Sequence, residues 1–307
     1  MNKKRIVITG GSGLLALNWA CVVRDNWEVV LATHEHSVNL RGVIQYKLDL
    51  EDITKLESQL EQLSSDLIVH TAGLTSVDHC EKNPALAEMV NATIAKNIAV
   101  VSKSKKIGLI HISTDHLFSG DSSFYSEDAS PKPINEYARS KFLAEKLVQE
   151  AYPDALILRT NFFCWGYAQR QSLSDWIIYS LRNGKTLSMF DDVYITPILA
   201  DFLVHFAHEL VEKGASGIFN MVGNNRISKY EFALKLAKYF ALPINLIERN
   251  KITNAQLFAP RPTDMSLNND KLSRELGENI GSLDDYFSAL RKQEVQGRRK
   301  ELYNSVT

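Results

Sequence analysis

Cysteine is scarce in this sequence: Cys21, Cys80 and Cys164 are the only three among 307 residues. They are far apart, odd in number and form no Cys-x-x-Cys pair, which excludes a disulfide framework and offers no metal site. Small buried thiols in a reducing compartment are the expected state. An excess of charge is also lacking. Lys plus Arg total 35 and Asp plus Glu 36, so nothing draws the whole chain toward nucleic acid or an anionic membrane. Long hydrophobic runs are missing too. The most apolar later stretch, residues 195–210, is broken by Pro197, Asp201, His205 and His208. The apolar stretch that follows Arg5 is too short for a signal-peptide core, and glycines come directly after it. A cytoplasmic protein with no membrane and no nucleic-acid partner is expected. Internal repeats and low-complexity linkers are absent, and 45% hydrophobic with 23% charged residues is enough for a large core or two lobes.

What is present is a rhythm. Ile6–Thr9, Val29–Thr33, Leu67–His70 and Leu109–Ser113 each read as a buried parallel strand. Between the third and fourth lies a helix with Asn83 as its cap and Pro84 in its first position. Leu86, Val90, Ile94, Ile98 and Val101 share one face of it. A further helix begins near Asn135, followed by a strand at Ala155–Arg159. Alternation of this kind predicts a Rossmann-type doubly wound parallel sheet over residues 1–160. After about Asn161 the rhythm changes, which predicts a smaller α/β substrate lobe over 161–292, with some return to the first domain. Its elements are a helix over Ser174–Arg182 ended by Gly184, a strand at Gly217–Val222, a capping box at Ser228–Glu231, and a last helix over Asp284–Lys292. Residues 293–307 read as a polar, solvated or frayed tail with a basic cluster at Arg298–Lys300.

Thr9-Gly10-Gly11-Ser12-Gly13-Leu14-Leu15-Ala16 follows the first strand and opens a helix. Gly10 permits a tight turn, Gly13 a close backbone approach, and Ala16 close helix–strand packing. A pyrophosphate is expected on the amides of Gly10–Leu15, among them Ser12 and Leu14, where the helix dipole favours an anion. The second strand ends Ala32-Thr33-His34-Glu35-His36, with Arg41 beyond. No acid occupies the strand tip, although Glu35 is close. His34, His36 or Arg41 can meet the extra phosphate of NADP, or all three are plain loop residues; the set leans toward NADP(H) over NAD(H). Asp49 and Leu50 are placed for the adenine, and Ala72 and Gly73 for the cofactor cleft.

Tyr137 and Lys141 stand four residues apart, on one face of the predicted helix. A tyrosine hydroxyl with an unperturbed pKa near ~10 needs help to act at neutral pH, and a nearby ammonium is expected to lower it. The fourth strand ends Ser113-Thr114, at the sheet edge where ligands bind. A glycine turn, a threonine at the fourth strand's tip and Tyr-x-x-x-Lys next in order make a catalytic set of Thr114, Tyr137 and Lys141.

At this point the sequence resembles an extended short-chain dehydrogenase/reductase, and most closely the dTDP-4-dehydrorhamnose reductase family. The likeness is carried by Thr9–Ala16, Ala72–Asp78 with Glu81, Val90–Thr93, Ser113–Gly120, Tyr137–Lys141, Leu158–Thr160, Arg261-Pro262, Ser266–Asn268 and Lys271-Leu272. It implies reduction of the 4-keto group of a nucleotide-linked deoxysugar, with Tyr137 as proton donor, Lys141 holding the nicotinamide ribose and Thr114 orienting the keto oxygen. It also implies a substrate set of Thr75, Val77, Asp78, Thr114, His116, Phe162 and Arg261, and it allows a homodimer. Three positions depart from the family pattern. His116 replaces a usual tyrosine, Phe162 a common tryptophan and Asn268 a usual aspartate. No acid follows Thr114-Asp115, which argues against elimination of water. Arg261 is available to a substrate diphosphate, with a structural ion pair as the competing role. Two other functions fit the same motifs: a sugar-nucleotide epimerase, and a non-catalytic NADP-binding subunit like the β subunit of methionine adenosyltransferase.

Overall fold

The computed structural model describes residues 3–306; Met1 and Asn2 of the predicted first domain and Thr307 of the predicted tail lie outside the described residues. Strands β1 (Arg5–Thr9), β2 (Glu28–Thr33), β3 (Val43–Lys47), β4 (Leu67–His70), β5 (Gly108–Ile112) and β6 (Leu156–Thr160) carry the first half. Together with the strand Gly217–Met221 they form one seven-stranded sheet. Its order is 217–221, β6, β5, β4, β1, β2, β3, and every pairing is parallel. The chain runs outward from β1 to β3 and then returns to β4 on the other side of β1. That reversal opens a crevice at the C-terminal ends of β1 and β4.

Side chains alternate across a strand, and the two cores divide accordingly. Ile6 and Ile8 face one core, shared with α1 (Leu14–Val23) and α8 (Ala200–Glu212). Val7 and Ile68 face the other, covered by α2 (Ile53–Leu63), α5 (Ile94–Ser104) and α6 (Glu136–Ala151). Asn135 caps α6 by accepting the Ala138 amide at 2.9 Å, which fixes where Tyr137 enters the helix. Among the described residues no helix is long and apolar enough to cross a membrane.

The helix expected after Asn83 is built differently. Asn83 ends α3 (Val77–Lys82), and its side-chain amide donates back to the His79 carbonyl rather than capping the next helix. Pro84 does hold the first position of α4 (Pro84–Glu88). A five-residue π turn, Met89–Thr93, then joins α4 to α5. The wider turn shifts the phase of the helix. Ile94, Ile98 and Val101 are buried, whereas Leu86, placed on the same face by regular spacing, is 45% exposed.

The second half contains α7 (Leu173–Arg182), α9 (Lys229–Tyr239), α10 (Asp270–Leu276) and α11 (Leu283–Val295), and Ser228 and Glu231 make the capping box of α9. The strand predicted at Gly217–Val222 does not stay in this half; it pairs with β6 at the edge of the main sheet. Helix α11 is not the last. The expected frayed tail is instead a helix, α12 (Arg298–Tyr303), packed on the protein. Leu302 is 1% exposed. Arg24, at the C-terminal end of α1, bonds Glu301 through Nη1 and Nη2. Arg298 faces Asp201, and Arg299 lies over the Trp165 ring beside Asp175. Arg298 and Arg299 of the basic cluster thus face internal acids, while Lys300 is exposed. Leu302→Ala is expected to lower stability by about 2–4 kcal/mol, the cost of a buried cavity. Urea unfolding checks this, and a loss below about 0.5 kcal/mol, the surface value, would return the tail to solvent.

Candidate active site

The crevice begins at the glycine turn. Gly10 adopts φ +65°, and a Cβ there would lie 2.8 Å from the Ala72 Cα. A Cβ on Gly13 would lie 2.9 Å from the Gly10 carbonyl oxygen. The first turn of α1 has no side-chain cap and no acidic residue. Its amides are therefore left to an outside acceptor, with no built-in negative charge competing for the dipole.

Two cavities meet at this turn, sharing Gly10, Ser12 and Ala72. One, of about 770 Å³, is lined by His34, Glu35, His36, Asp49 and Leu50. Lys47 and Lys55 also line it, two cations that no motif in the sequence singles out. Lys55 pairs with Asp49 at 3.3 Å. His34 and Glu35 lie side by side and largely exposed, 3.7 Å apart. Arg41 does not line this cavity; its carbonyl accepts from Arg24. The other cavity, about 440 Å³, runs from Gly13, Leu14 and Leu15 past Gly73 to Thr114, Tyr137 and Lys141, with Thr75, Val77, His116 and Phe162 on its walls. The two spaces adjoin at the uncapped amides of α1, and those donors suit the pyrophosphate of a dinucleotide. A further cavity of about 810 Å³ opens at the opposite ends of the strands, beside Arg5 and Glu28, away from all of these groups.

Around the smaller cavity the electrostatics are set mainly by burial. Lys141 is 6% exposed and donates to the Ile112 carbonyl at 2.6 Å. Burial lowers its pKa to about 8, with Glu145 opposing. Tyr137 is pushed up to about 12, chiefly by burial and further by Asp115 and Cys80, while the Thr114 hydroxyl pulls the other way. The expected lowering of Tyr137 by Lys141 is not realised in this geometry, where the ammonium is engaged by the Ile112 carbonyl. Thr114 Oγ1 donates to Asp115 at 3.3 Å and accepts the His116 amide at 3.2 Å. Asp115 accepts from Asn161 at 2.5 Å and is raised to about 6 by burial. His116 packs edge-on against Tyr137, ring centroids 5.6 Å apart. Its pKa falls to about 3 through burial, with Lys229 and Arg261 adding to the effect. At neutral pH the site therefore holds a protonated tyrosine, a mostly protonated lysine and a neutral histidine.

Residues 4–291 match the family described as RmlD substrate binding domain. The chain belongs to this family. It is 31% identical to the probable low-salt glycan biosynthesis reductase Agl14 of Haloferax volcanii, over 92% of this chain and 96% of that protein. It is 28% identical to the dTDP-4-dehydrorhamnose reductase of Salmonella typhimurium, over 70% and 75%, and 26% identical to methionine adenosyltransferase 2 subunit beta of Xenopus tropicalis, over 88% and 82%. Among solved structures, a hypothetical dTDP-4-dehydrorhamnose reductase from Sulfolobus tokodaii superimposes with a TM-score of 0.80 at 32% identity, covering 91% of this chain and 97% of that one.

Two residues expected at the substrate in this RmlD-family chain, Asp78 and Arg261, lie outside the cavity lining. Arg261 bonds Asp78 at 2.8 Å and the Ala259 carbonyl at 2.9 Å. This ion pair holds Asp78 below the usual carboxylate range, second to the Ala259 amide. Other residues here lie outside the expected site set. Asn91, carried by the π turn, donates to Ser140 of α6 at 2.9 Å and accepts the Leu74 amide at 2.7 Å, tying the loop after β4 to the helix of Tyr137. Asp115 and Arg170 also line the cavity. Of these, Asn91 and Asp115 lie in stretches that carry the likeness, Val90–Thr93 and Ser113–Gly120, and Arg170 has no local signal. Gly13→Ala should weaken NADPH binding at least about tenfold, because the new Cβ must displace the turn; that factor equals ~1.4 kcal/mol. Fluorescence titration of NADPH reads the loss, with circular dichroism to verify the fold. Wild-type affinity in that variant would separate the turn from the cofactor.

Proposed function

We propose that this protein reduces the 4-keto group of a nucleotide-linked deoxysugar, as an NAD(P)H-dependent oxidoreductase of the extended short-chain dehydrogenase/reductase type. The observation that carries the reading is one cavity that joins Thr114, Tyr137 and Lys141 to the uncapped amides of α1, in a chain of the RmlD family. The reductase names of its relatives support it. NADPH is the favoured cofactor, because no acid occupies the tip of β2 and His34, His36 and Lys47 line the larger cavity beside it. The cytoplasm is its proposed location.

When bound, the reduced nicotinamide supplies the hydride for the keto carbon. Tyr137 supplies the proton. Its raised pKa keeps the phenol protonated at neutral pH, so an acid waits where an alkoxide forms. Lys141 holds the cofactor ribose, and its ammonium, once turned from the Ile112 carbonyl toward the ring, offers positive charge to the phenolate left behind. The 3.3 Å bond from Thr114 to Asp115 is long, so that hydroxyl can turn to the keto oxygen. His116 and Phe162 bound the sugar. The likeness to methionine adenosyltransferase 2 subunit beta supports a second reading, a regulatory subunit that binds cofactor without turnover.

Steady NADPH consumption with a 4-keto-6-deoxy sugar nucleotide distinguishes the readings. Redox-neutral conversion would mark an epimerase, and tight binding without turnover the regulatory subunit. Tyr137→Phe keeps the ring and removes the acid, so turnover should fall by roughly 10²–10⁴-fold with little change in NADPH affinity. A Tyr137→Phe protein as fast as wild type would sink the reductase mechanism.

The rate should also depend on pH. Lys141 loses its proton as the pH rises through about 8. Above that pH the phenolate lacks its counter-charge, so kcat/KM, which reports the free enzyme, should fall on the alkaline side with an apparent pKa near 8. A profile flat to pH ~10, the unperturbed lysine range, would exclude Lys141 from the chemistry.

A further inference from the structure

Among the described residues, one cation at the mouth of the smaller cavity has no counter-charge. Arg170 stands in the loop before α7, and its Nη2 donates to Thr75 Oγ1, on the loop after β4, at 2.8 Å. Both residues line the cavity. Lys141 and Arg170 are its two lining cations, and Lys141 is buried at the chemistry. Arg170 makes no ion pair among the described residues. Arg261, the arginine expected to meet a diphosphate, is already neutralised by Asp78.

The loop that carries Arg170 is built rather than loose. Tyr167 and Arg170 exchange backbone hydrogen bonds at 2.9 and 3.0 Å. A Cβ on Gly166 would run into the Arg170 carbonyl, so the turn requires glycine there. The Gly166 amide donates to Asp175, and the Ala168 amide donates to the Tyr303 carbonyl of α12 at 3.1 Å. The guanidinium is thus held at the mouth on a braced turn, and its one side-chain partner is a neutral hydroxyl. Guanidinium is a fork of five donors that matches paired phosphate oxygens far better than a lone hydroxyl.

We propose that Arg170 binds the diphosphate of the nucleotide sugar, exchanging its Thr75 bond for phosphate oxygens as the substrate enters. This rests on the reductase reading, and it follows from depth. The keto carbon must reach Thr114 and Tyr137 at the floor, which leaves the diphosphate further out, at the mouth. The cofactor carries a pyrophosphate too, but the uncapped amides of α1 are available to that one.

The test compares wild type, Arg170→Ala and Arg170→Lys. Arg170 is exposed, so neither substitution disturbs the core. In Arg170→Ala the KM for the nucleotide sugar should rise about 10–100-fold, the range for a lost charge-assisted hydrogen bond. The loss should fall on KM rather than kcat, and Arg170→Lys should recover part of it. Affinity for NADPH should hold. An unchanged KM overturns the proposal, and so does a loss of NADPH affinity in place of substrate affinity, which would give Arg170 to the cofactor. Calorimetry with thymidine diphosphate and uridine diphosphate alone separates this from the reductase reading. If wild type turns over no nucleotide-linked 4-keto sugar, that reading fails. Arg170 is then judged on binding: weaker diphosphate binding in Arg170→Ala supports it, and equal or absent binding in both proteins overturns it.

Discussion

A buried ion pair fixes α6, the helix of Tyr137 and Lys141, to the sheet. Arg159 of β6 meets Glu145 of α6 at 2.8 Å, with the two side chains 3% and 1% exposed. Ser113, at the end of β5, donates to the same carboxylate at 2.6 Å. Arg159 also donates to the Glu127 carbonyl and lies over the Phe118 ring, and the Glu127 carboxylate accepts the Asn220 amide of the edge strand. One guanidinium thereby registers α6, two neighbouring strands, the segment after Thr114 and the returning strand. Removing either partner leaves a charge buried alone, which costs about 3–5 kcal/mol. Glu145 lies one turn beyond Lys141 on the same helix, so the placement of Lys141 and Tyr137 over the strand tips depends on this pair.

Given that registration, the fold does the rest by topology. The chain reversal between β1 and β4 opens the crevice, and the uncapped amides of α1 give it an anion site. Burial then sorts the protonation states. His70 and His111, stacked beneath the site at 5.4 Å between ring centroids, are kept neutral by burial and by the charge of Lys141. Tyr137 is held as an acid and Lys141 as a partly tamed base by the same loss of water. The set proposed as catalytic is a product of desolvation as much as of spacing.

The elements legible in the sequence are those whose cause is local. Apolar runs flanked by turns mark the strands, the glycine turn lies between a strand and a helix, and Tyr137 and Lys141 are four residues apart. The features that could not be read depend on distant partners. Thr75 and Arg170 are 95 residues apart. The π turn at Met89–Thr93 matches no period, because it accommodates Asn91 between two other elements. The tail holds only a few apolar residues in a polar stretch, so nothing in its pattern announces that Leu302 and Val306 are buried. Spacing places Lys141 on the face of Tyr137 but carries no information on the carbonyl that engages the ammonium.

The seventh strand and the C-terminal helix have a bearing on how the protein unfolds. Gly217–Met221 completes the sheet from the far half of the chain. Arg24, at the C-terminal end of α1, is held by Glu301, and the Asn39 amide, in the loop between β2 and β3, donates to the Ser305 carbonyl. The C-terminal segment from Arg298 onward therefore stitches the opening βα unit to the Ala168 loop. Neither half has a boundary across which few contacts pass, which is what an independent folding unit requires. A cut near residue 160 would leave β6 as a bare edge, strip the partner of Arg24 and expose the face of α1 that α8 covers. The half proposed to bind the nucleotide is therefore not a folding unit by itself, and its melting is expected within one cooperative transition of the whole chain.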